Sequence, residues 1–133
     1  MKSLDAFLHP KRKPNLKIAL STAFQDEEGK PLEWELRQLS AKEGLEMKEQ
    51  LEGVPDYMQI MTEYVAESLV FPDLHDKELL DALSEREKRP VLKASDALVA
   101  LVSDAELAEL VQQYTKHNDL VQNFGDAVND AKN

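Results

Sequence analysis

The chain has 133 residues, no Cys and three His, and its 16 Lys and Arg against 26 Asp and Glu leave a formal net charge of −10. That length predicts one domain, large enough to bury about two-thirds of its surface without a disulfide or metal staple, and the missing thiols exclude a zinc–thiolate cage, a thiol nucleophile and a disulfide framework. No run approaches the ~20 apolar residues that span a bilayer, and Met1 to His9 lacks the long apolar core of a signal peptide, so a cytoplasmic setting is expected.

Ser3 to Leu8 reads as one short helical turn with Leu4, Phe7 and Leu8 on one side. Pro10 and Pro14 stop it, and Pro10 to Pro14 reads as an exposed, extended connector because each proline disfavours helix at the residue before it. Leu16, Ile18 and Leu20 then alternate with Lys17, Ala19 and Ser21, the period of a strand with one buried face. Leu32, Trp34 and Leu36 alternate with Glu33, Glu35 and Arg37 in the same way. Gly29 between them supplies a positive φ, and Pro31 opens the return strand where a missing donor is tolerated. A β-hairpin follows, and two strands alone are marginal, so helices must cover its apolar face.

The remainder reads as helical. Ser40 and Glu43 form a capping box opening a helix to about Glu52, with Gly53 beyond its end. Asp56 and Gln59 offer a cap for a central helix carrying Tyr57, Ile60, Met61, Tyr64, Val65, Ser68 and Leu69, which Phe71-Pro72 ends. Asp76 caps a short helix presenting Leu79, Leu80 and Leu83. The charged run Ser84 to Arg89 either extends that helix or forms a loop. Ser95 is placed to cap a helix with Leu98, Leu101 and Val102. Ser103 and Glu106 make a second capping box, opening a helix with Leu107, Leu110, Val111 and Tyr114 on one face. Leu120, Val121, Phe124 and Val128 form a last amphipathic helix, with Gly125 inside it costing about 1 kcal/mol against Ala. The predicted fold class is α+β, mostly α: an N-terminal β-hairpin followed by a bundle of about five or six helices. Residues 1–15 form an apolar leader and basic Pro-rich connector. Residues 16–133 form a single α+β domain, with the hairpin over 16–38 and the helical part over 40–132.

The charge is unevenly spread. Residues 1–22 carry Lys2, Lys11, Arg12, Lys13 and Lys17 against Asp5, a local +4, which leaves −14 for the rest. Such acidity argues against sequence-independent nucleic-acid binding, which needs cations to displace condensed counterions. The body is either simply well solvated, or one region docks on a partner of opposite charge.

Candidate chemistry is sparse. The His residues stand at 9, 75 and 117, in separate segments. Asp73, His75, Asp76 and Glu78 are the one compact set of metal-ligand types, but a site needs three or four convergent donors and a second shell. Asp73 and Asp76 are better explained as turn and cap residues. No Gly-x-Ser-x-Gly elbow and no glycine-rich phosphate loop occurs. Trp34 and the tyrosines are expected in the core. No catalytic residue, cofactor or metal is assigned.

The order of motifs resembles the XkdN-like tail assembly chaperones of long-tailed phages and prophages. Four stretches carry the resemblance: Leu4 to Leu8; Phe24 to Leu36 with Arg37 and the capped helix at Ser40; Val70 to Leu79, the most specific; and Asn123 to Asn133. Two segments depart from the family pattern. The charged run Ser84 to Arg89 stands where a Gly-containing segment is usual, and Ser103 to Glu106 replaces Pro-Gly-Glu. Both keep a helix start. The resemblance implies a non-catalytic chaperone of the cytoplasm, absent from the mature virion. Its partners would be the tape-measure protein, which it keeps soluble, and the tail tube protein. From the acidity and the lack of an apolar span, neither nucleic acid nor membrane is expected as a partner, and the resemblance leaves self-association open.

Leu4, Phe7 and Leu8 are the candidate partner-binding residues, because an apolar leader beyond a Pro-rich connector need not join the core; packing back onto the hairpin is the alternative. A different class of function also fits the charge: a small acidic nucleic-acid mimic or adaptor that inhibits a DNA-binding partner. Against it, the carboxylates mix with Lys and Arg along the helices. The resemblance raises one more point. Ala131-Lys132-Asn133 is encodable by a run of adenines, so the chain end is either an ordinary polar terminus or the shorter product of a −1 frameshift. The gene decides: a slippery tract with an overlapping −1 frame beyond it is the frameshift outcome, and the lack of either sinks it.

Overall fold

A computed structural model describes residues 3–118. Six helices and three strands occur among them, in the order α1 (Ser3–Leu8), β1 (Leu16–Ala19), β2 (Glu33–Leu36), α2 (Ala41–Gln50), α3 (Tyr57–Ser68), β3 (Leu69–Phe71), α4 (Lys77–Glu87), α5 (Ala94–Leu101) and α6 (Asp104–His117). The architecture is α+β and mostly α, with the hairpin ahead of the helical body. The last predicted helix, over Leu120 to Val128, lies outside the described residues.

The two alternating segments pair as a hairpin. Leu16 faces Leu36 and Ile18 faces Trp34 in an antiparallel pair. Trp34 and Leu36 are buried, while Glu33 is exposed. The connection is pinned by Asp26, whose Oδ1 accepts from the amides of Glu28 and Lys30. Gly29 turns the chain at φ +85°, a conformation that costs a side-chain-bearing residue about 1–2 kcal/mol.

A third strand corrects the expected two-stranded sheet. The central helix stops at Ser68, and Leu69-Val70-Phe71 pairs antiparallel with β2, giving the order β1-β2-β3 with β2 in the middle. The Arg37 amide donates to the Ser68 carbonyl at 2.8 Å, which joins the helix end to the sheet. A three-residue apolar run has no period of its own. Its state is decided by the free edge of β2.

The helix starts were largely legible. Ser40 and Ser103 each accept from the amide three residues on, and Glu43 and Glu106 return the bond. Asp56 accepts from the Met58 amide, and Asp76 from that of Glu78. The charged run Ser84 to Arg89 extends α4 to Glu87, and Lys88 then ends it at φ 59°. Ser84 has a structural role there: its hydroxyl donates to Leu80 O at 2.8 Å and accepts from the Val91 amide at 2.8 Å. Two expectations need correction. The second helix ends at Gln50 rather than Glu52, because the Leu51 amide closes on Met47 O and Val54 on Leu51 O, with Gly53 at φ +86°. Ser95 does not cap α5. The helix begins at Ala94 behind Lys93, with no side-chain cap bond, and Ser95 is buried in its first turn. Burial of Val91, Ala94, Ala97 and Leu98 sets that start, and packing overrides the local cap preference.

One buried cluster joins Trp34 and Leu36 to Met61, Val65 and Ala66 of α3, Leu83 of α4, Ala97 and Leu98 of α5, and Leu110, Val111 and Tyr114 of α6. The α3 helix meets both α5 and α6, and α4 packs on α5. Buried hydroxyls bond back along their own helices, Ser68 to Tyr64 O and Thr115 to Val111 O. Among the described residues no buried side-chain polar atom lacks a partner. Leu98 is fully buried at the centre of this cluster. Leu98→Ala is expected to lower stability by about 2–5 kcal/mol, read as a lower urea midpoint with an unchanged slope.

Candidate partner-binding surfaces

The leader stands apart from the core. In α1, Leu4 is 67%, Phe7 80% and Leu8 62% exposed. None of the three belongs to the buried cluster or the side chains packed against it. The helix has a single turn's worth of backbone bonding, closed by the His9 amide on Asp5 O at 2.9 Å, and Pro10 forbids its extension. The three predicted partner-binding residues therefore share one short exposed element.

The connector is held at its far end. Lys13 Nζ donates to His117 O at 2.8 Å, and His117 Nε2 lies 3.2 Å from Pro14 O. Asn15 Nδ2 donates to Glu35 Oε2 at 2.9 Å. From there β1 runs back along α6, so that the Ser21 hydroxyl reaches Glu106, whose carboxyl is held below its ordinary range by that bond and by the Ser103 amide.

A second apolar feature was not foreseen in the sequence. Phe24, Leu32, Trp34, Phe71, Leu79 and Leu101 line a cleft of about 120 Å³, closed on one side by Pro72. Phe24 and Trp34 meet edge to face, with ring centroids 5.1 Å apart and planes at 73°. The cleft lies beside β3, where Val70 and Phe71 are partly exposed. The signal for it was the apolar Val70-Phe71 pair after a helix end. The cleft itself needs residues from five separate parts of the chain.

The Asp73 to Glu78 stretch is a capped turn. Asp73 Oδ1 accepts from the His75 amide, and Asp76 caps α4. His75 is exposed, with Nε2 3.6 Å from Glu67. Among the described residues no group of three or more His, Cys, Asp and Glu is placed to hold a metal ion. None of the described helices is long and apolar enough to cross a membrane.

A two-point charge pair ties the sheet to α2. Arg37 donates to both oxygens of Glu43, at 3.0 and 2.7 Å. Glu43 also accepts from the Ser40 amide at 2.9 Å. The Arg37 bonds, then the Ser40 amide, lower the Glu43 carboxyl from 4.5 to about 2.

Comparison with known proteins agrees with these observations. The model of the phage XkdN-like tail assembly chaperone family matches residues 4–132. The fold is similar to that in the crystal structure of the protein yqbn, with a TM-score of 0.70 and 17% identity over 90% of this chain and 98% of that one. At that identity the likeness speaks for the fold alone. No curated protein matches the chain. The family match spans nearly the whole sequence, and the chain belongs to the phage XkdN-like tail assembly chaperone family.

The Glu43 carboxyl makes stability pH-dependent. Because its folded value is depressed, its contribution is present above pH 4.5 and is lost as pH falls towards about 2. Both side chains are more than a third exposed, so the pair contributes no more than about 1 kcal/mol. Glu43→Gln is expected to be less stable than the native chain at neutral pH. The gap should close on acidification, measured by urea unfolding along a pH series.

Proposed function

We propose that this member of the tail assembly chaperone family binds the tape-measure protein, keeps it soluble and assists tail tube assembly without catalysis. It acts in the cytoplasm of the host and is left out of the finished virion. The observation that carries this reading is the leader: Leu4, Phe7 and Leu8 form an exposed apolar face outside a core that is complete without them. A tape-measure protein is a long helical chain whose apolar stripes aggregate until the tube forms around them. Short apolar helices recognise such a stripe side by side. The body's excess of carboxylates keeps the complex soluble.

The proposed organisation places residues 1–15 as leader and connector, and residues 16–133 as the body. Lys13 and Pro14 fix where the leader departs, at the C-terminal end of α6. Residues before Pro10 then reach for the client.

The nucleic-acid mimic is the weaker reading. A mimic needs free carboxylates spaced like phosphates over one face. Here Glu43 and Glu106 serve capping boxes, Asp56 and Asp76 cap helices, and Asp81 pairs with Lys77 at 2.7 Å.

Co-expression with the C-terminal region of the tape-measure protein tests the proposal. The full chain should hold the client in the soluble fraction, and deletion of residues 1–9 should lose most of it. Unchanged client solubility after the deletion rules the leader out as the client surface.

A further inference from the structure

We infer that residues 119–133 dock in the open groove at the C-terminal end of α6, with Leu120, Val121, Phe124 and Val128 as the face they bury. The groove holds about 320 Å³. Its apolar wall is Leu39, just ahead of α2, with Tyr64 of α3 and Tyr114 of α6, and Gly44 of α2 and Arg12 of the connector bound it. An apolar cavity of about 150 Å³ accepts a benzene ring, so the groove has room for two large apolar side chains.

The point at which α6 ends selects this occupant. Asn118 itself lines the groove. It is pinned there, because its amide and its Nδ2 both donate to Tyr114 O, at 3.1 and 2.9 Å. Two residues span at most about 7 Å, so Leu120 stays beside the groove whatever path the chain takes. As a helix, the chain carries Phe124 only about 9 Å from Asn118. Leu120, Val121, Phe124 and Val128 recur at i, i+1, i+4 and i+8, which puts them on one helical face. An apolar groove recognises such a face.

Gly44 gives an independent reason. It stands inside α2, where glycine is the poorest helix former after proline. Its φ is not positive, and among the described residues a methyl group there would meet no atom within 4 Å. Neither the backbone conformation nor the packing of the described chain asks for glycine at this position. A helix lying across α2 does, because a bare Cα permits close approach.

Charge agrees with both. Arg12 is the one charged residue among those lining the groove. Residues 119–133 carry Asp119, Asp126 and Asp130 against Lys132, and Asp119 directly follows the pinned Asn118. Opposite charges of this kind orient an encounter. Docking brings the two ends of the chain together, since the segment lies against Arg12 and steadies the connector from which the leader departs. The benefit to the leader rests on its proposed role as client surface; the docking does not, and it is measured with no client present.

Urea unfolding of the full chain tests the inference in the native form, Phe124→Asp, Gly44→Leu and the double variant, at several protein concentrations. Phe124→Asp should lower the midpoint. Gly44→Leu should raise it in the Phe124→Asp background through helix propensity, and should fail to raise it in the native background, where the leucine obstructs the segment. An unchanged midpoint in Phe124→Asp overturns the inference. So does an equal shift from Gly44→Leu in both backgrounds, which would seat the segment elsewhere. Coupling that appears only at high concentration also overturns it, because the segment then fills the groove of a second copy. Hydrogen exchange of the native chain supplies a check that needs no variant. Amides of residues 119–128 should exchange many-fold more slowly than in an unfolded peptide, and exchange at the unfolded rate overturns the inference.

Discussion

The structure depends on burying one face of β2. Trp34 and Leu36 project from the central strand, and neither neighbour in a three-stranded sheet this short can cover them. A small sheet is stable only when something packs on its apolar face. Here α3, α5 and α6 supply that cover, with Val65, Leu98 and Leu110 fully buried. The α3 and α5 helices pack on one another, and each buries an alanine, Ala66 and Ala97. Everything else is arranged around this contact. Arg37, directly after β2, anchors α2 through Glu43, and Ser68, at the end of α3, hands its carbonyl to the Arg37 amide.

A core satisfied in this way leaves the leader with nothing to do inside it. The separation has a local cause and a tertiary one. Locally, Pro10 and Pro14 prevent α1 from continuing into the body. In the tertiary structure, the bonds of His117 to Lys13 and Pro14 fix the exit point at the C-terminal end of α6. An exposed apolar arm on a strongly acidic body is a liability in an isolated monomer. As the proposed client surface it would be an asset in a protein whose family assembles phage tails.

Features set by short-range chemistry were legible in the sequence. Both capping boxes, the Asp56 and Asp76 caps, the turn at Gly29 and the alternation of each hairpin strand rest on residues within a few positions of one another. The end of α1 was legible because Pro10 follows it. Features set by long-range packing were not. Leu69 to Phe71 becomes a strand only because β2 presents an open edge. Ser95 fails to cap because burial of Val91 and Ala94 sets the start of α5 ahead of it. The charged run Ser84 to Arg89 was ambiguous because its deciding bond, from the Val91 amide to the Ser84 hydroxyl, crosses seven positions and a proline. The cleft joins Phe24 to Leu101, a juxtaposition no spacing rule encodes. Leu4, Phe7 and Leu8 were singled out on position alone, and their exposure is what the structure adds.

The central claim is that the body folds without its leader. The direct measurement is urea unfolding, at dilute protein, of the full chain against a chain that begins at Pro10 and so keeps the Lys13 and Pro14 contacts. The account predicts the same midpoint and the same slope for both, because Leu4, Phe7 and Leu8 are mostly exposed and lie outside the core. A clearly lower midpoint in the shortened chain would place the leader in the core and contradict it.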